Sequence, residues 1–231
     1  MKIITRNSVF NDNTLNIFSD ASIKVISDDL SVGCSGAISY IGDYVIDEKI
    51  MLIKDTTNMN AEVKAIELGI DQAILYKDKV KNINLFSDSK VSIYGLREWV
   101  FNWVKCSTDQ LCKPTGEPVA NQSIYLSIIY KILENNLRIN FYHQNGHINL
   151  KNQKSINQAK NTFINTNYID SDIEDDLIKE ISLANFIIDR DTRYAVKNSN
   201  FKSMKEINNN IAYHPFNVEK YAELINAPFY K

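Results

Sequence analysis

The 231-residue sequence lacks an apolar stretch long enough to span a bilayer, which takes about 18 to 20 uninterrupted apolar residues. Its most apolar segment, Ile124 to Leu133, is interrupted by Ser127 and Lys131. Polar residues also begin early, at Arg6 and Asn7, before a run typical of a signal peptide can develop. These absences argue against a membrane or secreted protein and predict a soluble, cytoplasmic one.

Cysteines are few, and their spacing fits neither a disulfide framework nor a metal-binding motif. Cys34, Cys106 and Cys112 are an odd number and lack the C-x2-C spacing of zinc sites. We therefore interpret Cys106 and Cys112 as inert thiols. Glycine (7) and proline (4) are also scarce, a bias from which we infer no function.

Neither sign of charge is in excess. The chain has 26 basic and 28 acidic residues, a net charge of −2, whereas a protein that coats nucleic acid by bulk charge should be far more basic. A role with nucleic acid would therefore depend on local patches or on bound cations. The content of 44% hydrophobic and 23% charged residues fits one large folded domain, or a domain of about 150 residues with an appendage.

The hydrophobic pattern predicts strands first and a strand–helix alternation afterwards. Strands are predicted at about 15–20, 33–40, 44–53, 83–88 and 137–142, and helices at about 58–76 with Asn58 as N-cap, through Trp99 and Trp103, and at 124–133. Short turns between the first three strands indicate an antiparallel meander. The strand–helix–strand order that follows indicates parallel strands joined by crossovers. The order is thus βββαβααβ.

Three carboxylates stand at informative positions in this pattern. Asp20 and Asp88 each close an apolar strand, and Glu62 shares a helical stripe with Ile66 and Ile70. Catalytic groups gather at strand ends in α/β sheets, and a buried carboxylate needs a partner. If the three acids converge, oxygen ligands of this kind suit Mg²⁺ or Mn²⁺ rather than zinc. Taken singly, each acid could instead cap a helix or pair with a lysine.

Six short motifs, in order along the chain, resemble the type 1 ribonuclease H family. They are residues 17–22 (Ile-Phe-Ser-Asp-Ala-Ser), 33–38 (Gly-Cys-Ser-Gly-Ala-Ile), 57–62 (Thr-Asn-Met-Asn-Ala-Glu), 86–89 (Phe-Ser-Asp-Ser), 116–121 (Gly-Glu-Pro-Val-Ala-Asn) and 139–147, which ends in Gly-His. Ala21 replaces the usual glycine of the first motif, and Met59 replaces an asparagine of the third. The resemblance implies an α/β ribonuclease H-like fold, in which helices flank a mixed sheet of three antiparallel strands followed by parallel ones, five in all.

The resemblance also implies an activity, a cofactor and a partner. The expected function is endonucleolytic hydrolysis of the RNA strand of an RNA/DNA hybrid, with two Mg²⁺ ions and with 5′-phosphate and 3′-hydroxyl ends. Asp20, Glu62 and Asp88 are the expected metal ligands, and Asp20 would bridge the two ions. His147, in the Gly-His of a mobile loop, is expected to move protons. Its alternative interpretation is an ordinary exposed loop histidine.

The family's fourth carboxylate should begin a closing helix about ten residues after Gly-His, but Asn157 stands there. Asp189 fits the family's Asn-x-x-x-Asp spacing from Asn185, so we predict that it is the fourth ligand. This divides the chain into a core (1–148), a helical insertion (149–182), the closing helix of the core (183–200) and a C-terminal tail (201–231). The alternative for Asp189 is a solvated helix acid beside Arg190 and Arg193.

Substrate contacts are expected from polar residues beside the motifs and from an aromatic handle. Ser22, Asn58 and Ser89 could recognise 2′-hydroxyls, and Trp99 could help to grip the DNA strand. Lys151, Lys154 and Lys160 of the insertion could add phosphate contacts. Two other functions stay open: a DNA nuclease of the exonuclease or recombination type, and a non-catalytic nucleic-acid-binding module on the same fold.

Overall fold

The computed structural model describes residues 3–27, 30–107, 110–199, 214–228 and 230. The strands are β1 (Ile3–Ile4), β2 (Thr14–Ser27), β3 (Leu30–Ile41), β4 (Tyr44–Lys54), β5 (Asn82–Ser87), β6 (Val104–Ser107), β7 (Gln110–Cys112), β8 (Asn140–His143) and β9 (Asp172–Ile173). The helices are α1 (Arg6–Val9), α2 (Asn58–Tyr76), α3 (Lys90–Arg97), α4 (Gln122–Glu134), α5 (Gln153–Thr166), α6 (Asp175–Lys197) and α7 (Val218–Leu224).

The central sheet has five strands in the order β4-β3-β2-β5-β8. Strands β2, β3 and β4 pair antiparallel, while β5 pairs parallel with both β2 and β8. Successive side chains of a strand point to opposite faces, so Ile17 of β2 packs with α2 and α4 on one face and Phe18 packs with α5 and α6 on the other. The predicted mixed sheet, flanked by helices, is confirmed.

Helix α2 occupies the predicted residues, Asn58 to Tyr76, but its cap differs by one position. The side chain of Thr57, not that of Asn58, accepts a hydrogen bond from the Asn60 amide at 3.2 Å. The β-branched Thr57 has extended backbone angles, as an N-cap residue does. Our choice of Asn58 as the N-cap is therefore wrong, whereas the helix itself is confirmed.

Helix α6 is a single helix of 23 residues that includes the end of the predicted insertion and most of the predicted closing helix. It passes through residue 182 without interruption, so the boundary between insertion and closing helix stays a prediction. The helix packs directly on Gly36 of β3: a β-carbon there would come within 2.7 Å of both Ile188 and Thr192 side chains. This lack of a side chain lets α6 approach the sheet closely.

Both ends of the described chain are attached to distant elements. Strand β1 pairs with β9 next to α6, and α7 packs into the core formed by α2 and α4. Tyr221 of α7 is fully buried, and its hydroxyl donates to the Leu96 carbonyl at 3.0 Å. The predicted tail therefore supplies part of the core, while its residues 201–213 lie outside the described part.

The handle, the segment around Trp99 and Trp103, differs from its prediction in two respects. Trp99 lies in a short 3₁₀ helix, Trp99–Asn102, and Trp103 follows it in extended conformation, so the predicted helix through both tryptophans is wrong. The sulfur atoms of Cys106 and Cys112 form a disulfide across the β6–β7 hairpin, so the interpretation as inert thiols is also wrong.

Among the described helices, none combines the length and apolar character that crossing a membrane requires.

Candidate active site

Asp20 and Asp88 lie side by side because of the way β2 and β5 pair. Their parallel ladder ends at the partners Ser19 and Ser87, and each aspartate is the next residue. Asp88 follows the end of β5, as predicted. Asp20, however, lies within β2, which continues to Ser27 in its pairing with β3. The prediction that Asp20 closes its strand is therefore wrong, although the parallel ladder does end just before it.

Glu62 completes a cluster of three acids. It lies in the second turn of α2, on the face that packs against the sheet, and its side chain is buried together with that of Asp20. One carboxylate oxygen from each of Asp20, Glu62 and Asp88 lies within 4.8 Å of the others. The structure thus brings together the three carboxylates whose convergence the sequence spacing alone could not establish.

This crowding makes ionisation of the acids unfavourable. Burial, together with the neighbouring Asp88 charge, raises the pKa of Asp20 to about 8. Burial and the charges of Asp20, Asp88 and Asp189 raise the pKa of Glu62 to about 9. The pKa of Asp88 is raised as well, chiefly by burial. At neutral pH a bound cation would stabilise the ionised form of these acids.

The three carboxylates fit a divalent cation. The Glu62 Oε2 atom is buried and has no hydrogen-bond partner among the described residues, which is costly for a carboxylate unless another ligand reaches it. An all-oxygen donor set of carboxylates is the kind that Mg²⁺ and Mn²⁺ prefer. The cluster therefore offers the donors, the charge and the unsatisfied atom that a metal site needs.

Asp189 adjoins this cluster. It lies in α6, four residues after Asn185, and its carboxylate is buried although the helix is exposed on its other side. Its charge acts on the pKa of Asp20, Glu62 and Asp88, which places it within electrostatic reach of all three. Gly36, the register partner of Asp20, allows this approach because α6 packs directly on it.

Asn157, the alternative fourth position, lies elsewhere on the surface. It is exposed on α5, and its side chain accepts a hydrogen bond from Gln153 at 3.0 Å. Asn157 takes part in none of the interactions of the acid cluster described above. The arrangement favours Asp189, while the assignment of the fourth ligand stays a proposal.

His147 lies at the exposed edge of the cluster. Its backbone is left-handed, with φ of 54°, and its Nδ1 atom is 3.9 Å from the Asp189 carboxylate. The preceding Gly146 packs against Asp88, where an added β-carbon would come within 2.3 Å of a carboxylate oxygen. The Gly-His pair thus turns around Asp88 with the histidine outside. His143, the last residue of β8, is buried, and its Nδ1 atom lies 3.2 Å from the Thr166 hydroxyl.

Two polar side chains of the site were not identified as site residues from the sequence. Asn185 hydrogen-bonds the Asp88 carboxylate, which lowers the pKa of Asp88 against the larger effect of burial. Arg193 lies 2.7 Å from Asp189 and 2.9 Å from His147 Nε2. The only sequence signal for Arg193 was its spacing of one helical turn from Asp189, which equally suits a solvated ion pair.

The side chains of the predicted substrate-binding residues form no hydrogen bond with the three acids in the described part of the chain. Ser22 is half-buried in β2, Asn58 is exposed at the start of α2, and the Ser89 hydroxyl is 2.7 Å from that of Ser92. Trp99 is 44% exposed and lines an apolar cleft of about 640 Å³ together with Trp103 and other residues of the handle. Their contacts with substrate stay predictions.

The strand order and the position of the acids define the ribonuclease H fold class. The native protease–reverse transcriptase of prototype foamy virus shares this fold, with a TM-score of 0.50 and 16% identity over 80% of this chain and 21% of the viral chain. Residues 12–163 match the RNase H family. The chain belongs to the RNase H family.

Curated bacterial relatives agree with this assignment. Ribonuclease H of Haemophilus influenzae is 31% identical over 130 residues, which is 54% of this chain and 78% of the relative. Ribonuclease H of Rickettsia massiliae is 28% identical over 112 residues, 48% of this chain and 69% of the relative. The chain is accordingly classed with the ribonuclease H enzymes. Asp189 lies beyond the matched residues 12–163, so its role depends on the structure.

The raised pKa values predict how stability depends on pH when no divalent cation is present. Asp20 and Glu62 bind protons more tightly in the folded state than in the unfolded state. The pKa of Asp20 is about 8 when folded against an ordinary 3.8, and the pKa of Glu62 is about 9 against an ordinary 4.5. The free energy of unfolding should therefore decrease as pH rises from about 4 to about 9.

Thermal unfolding in EDTA across this pH range measures the effect. Excess Mg²⁺ should reduce the decrease, because a cation binds the deprotonated acids of the folded state only. The Asp20→Asn variant should show a smaller pH dependence than the wild type. Stability in EDTA that stays constant or rises over this pH range would contradict the prediction.

Proposed function

We propose that this protein hydrolyses the RNA strand of RNA/DNA hybrids endonucleolytically and leaves 5′-phosphate and 3′-hydroxyl ends. The observation that carries the proposal is the convergence of Asp20, Glu62 and Asp88 within 4.8 Å, with buried Asp189 beside them, in a chain of the RNase H family. Four carboxylates in one place would repel a phosphodiester unless cations were present. The proposal therefore includes a metal-dependent reaction.

Asp20, Glu62, Asp88 and Asp189 would hold two Mg²⁺ ions, or Mn²⁺ in their place. Bound there, such cations supply a nucleophilic water at neutral pH and stabilise charge on the leaving 3′ oxygen. Glu62 and Asp88 would serve one ion, and Asp189 the other. Gly36 lets α6, which carries Asp189, approach the sheet closely, and Gly146 packs against the Asp88 carboxylate.

His147 would move protons at the exposed edge of the site. Its imidazole is 64% exposed and lies beside Asp189, so it can exchange protons with solvent while facing the acids. Contacts with Arg193 and the left-handed backbone restrict where the ring can lie. We propose that His147 assists proton transfer to the departing oxygen or the release of product.

Recognition of RNA would depend on the hydroxyl and amide groups around the acids. An RNA strand displays 2′-hydroxyls in a wide, shallow minor groove, which short polar side chains can reach without reading bases. Ser22, Asn58 and Ser89 are proposed for these contacts, and Trp99 with its apolar cleft for the DNA strand. The cytoplasmic location expected from the sequence stays a prediction.

The test is incubation with end-labelled RNA/DNA hybrid, RNA duplex and DNA duplex, each in Mg²⁺, Mn²⁺ or EDTA. We expect cleavage of the hybrid's RNA strand alone, in either metal and not in EDTA. Fragments that a ligase can join through their 5′ ends carry a 5′-phosphate. Fragments that a polymerase can extend carry a 3′-hydroxyl. Cleavage of the DNA duplex would indicate a DNA nuclease, and binding without cleavage in any metal would indicate a non-catalytic module.

A further inference from the structure

A second cleft, about 300 Å³ in volume, opens beside the acid cluster. It lies between the loop that follows β8 and the middle of α6. His147 and Asp189 border it, so it is continuous with the proposed catalytic site. Its remaining walls are formed mainly by Leu150, Lys151, Leu183, Asn185 and Phe186.

Two large apolar side chains of this cleft face solvent. Phe186 is 59% exposed and Leu183 is 47% exposed, one helical turn apart on α6. Exposed apolar side chains grouped beside polar catalytic groups are typical of a binding surface rather than of packing. The buried face of α6 already carries the residues that pack on the sheet, such as Ile181 and Ile188. Phe186 and Leu183 are therefore available to a ligand.

A positive charge stands at the same cleft. Lys151 is exposed, and no carboxylate pairs with its ammonium group among the residues that the structure describes. Lys160, by contrast, is half-buried and lies 2.9 Å from Asp172 and 3.5 Å from Asp175. Of the insertion lysines expected to bind phosphate, Lys160 is thus committed to the fold, whereas Lys151 is free to meet an anion.

An aromatic surface, a free cation and a volume of this size fit one nucleotide. A base within a duplex is stacked and paired on its edges, so it cannot enter a cleft between a loop and a helix without being flipped out. An unpaired base has both faces free and stacks on aromatic side chains whatever its identity. The adjoining phosphate would meet Lys151.

We propose that this cleft binds an unpaired nucleotide of the RNA strand, next to the hybrid segment that is cut, with its base on Phe186 and its phosphate at Lys151. The proposal rests on the proposed function for the identity of the strand. It gives the enzyme a preference for hybrids whose RNA strand continues as a single-stranded tail, because the tail adds a contact that a blunt hybrid lacks.

The experiment measures binding of hybrids that carry a short RNA tail with 2-aminopurine, at either the 5′ or the 3′ end, with Ca²⁺ in place of Mg²⁺ so that a cation offsets the carboxylate charges, at times for which a gel shows the RNA intact. Fluorescence should be quenched by wild-type protein for one of the two polarities. Phe186→Ala should abolish the quenching and weaken binding of the tailed hybrid roughly 5- to 150-fold, the range expected for one base stack of about 1 to 3 kcal/mol. Phe186→Trp should retain both.

Tyr194→Ala is the matched control, because Tyr194 is an exposed aromatic residue on the same helix and lies outside the cleft. It should bind like the wild type. Equal loss in the Phe186 and Tyr194 variants, or quenching for neither polarity, would overturn the proposal and leave the cleft as a docking surface for protein. If quenching depends on Phe186 but the protein cuts no hybrid in Mg²⁺, nucleotide binding in the cleft is supported and the proposed function is refuted.

Discussion

Replacing Asp20 by asparagine should abolish hybrid cleavage while the protein stays folded. Asp20 is buried between Asp88 and Glu62, where a carboxylate can serve both proposed cations. Asparagine keeps the shape but offers a neutral oxygen, so the site loses a full charge at its centre. We expect a decrease in kcat/KM of about 1,000-fold or more, which corresponds to about 4 kcal/mol of transition-state stabilisation.

The folded state of this variant should be at least as stable as the wild type in EDTA. Burial and neighbouring charges raise the pKa of Asp20 and Glu62, so ionising either acid is unfavourable in the folded state, and asparagine removes that cost at position 20. Asp78→Asn is a suitable control, because the Asp78 carboxylate is 90% exposed in the turn that follows α2. Steady-state kinetics and thermal unfolding of both variants are the measurements. Turnover close to wild type in Asp20→Asn would refute a metal site built on this residue.

The second prediction with a large effect concerns the fourth ligand. Asp189→Ala should lower activity in Mg²⁺ by at least about 100-fold, because removal of a carboxylate ligand weakens binding of a hard cation. Asn157→Ala should change activity less than about 2-fold, since Asn157 is exposed and contacts Gln153. Asp189→Asn separates charge from packing, because it preserves the shape of the buried side chain.

Activity as a function of Mg²⁺ concentration gives the decisive comparison. The Asp189 variants should need more Mg²⁺ for half-maximal activity, while Asn157→Ala should follow the wild-type curve. Asp191→Asn, on the same helix and paired with Arg190, controls for a general loss of negative charge on α6. If Asn157→Ala were the inactive variant, α5 rather than α6 would close the catalytic site.

The sheet and the first three acids could be predicted because their signals are local. Strands of alternating pattern, the helical stripe of Glu62 and the short motifs around Asp20 and Asp88 each lie within a few neighbouring residues. The bounds of α2 were correct for the same reason. Convergence of the acids, in contrast, follows from the register of β2 with β5, which no single segment encodes.

The errors occurred where distant parts of the chain decide the structure. The Cys106–Cys112 disulfide depends on how the β6–β7 hairpin brings two residues together, and odd cysteine counts gave no hint of it. The importance of Gly36 becomes visible only when α6 lies on it, since a glycine in a strand can equally mark a bulge or a tight bend.

The burial of Tyr221 in the core has a consequence for the order in which the protein can fold. The elements that surround this side chain, including the helix of Leu96, are made long before residue 221 leaves the ribosome. Until then the nascent core has an open, apolar surface where α7 will pack, and such surfaces promote aggregation. A shortened chain that ends near residue 200 would retain all four acids proposed for catalysis and yet keep that surface permanently uncovered.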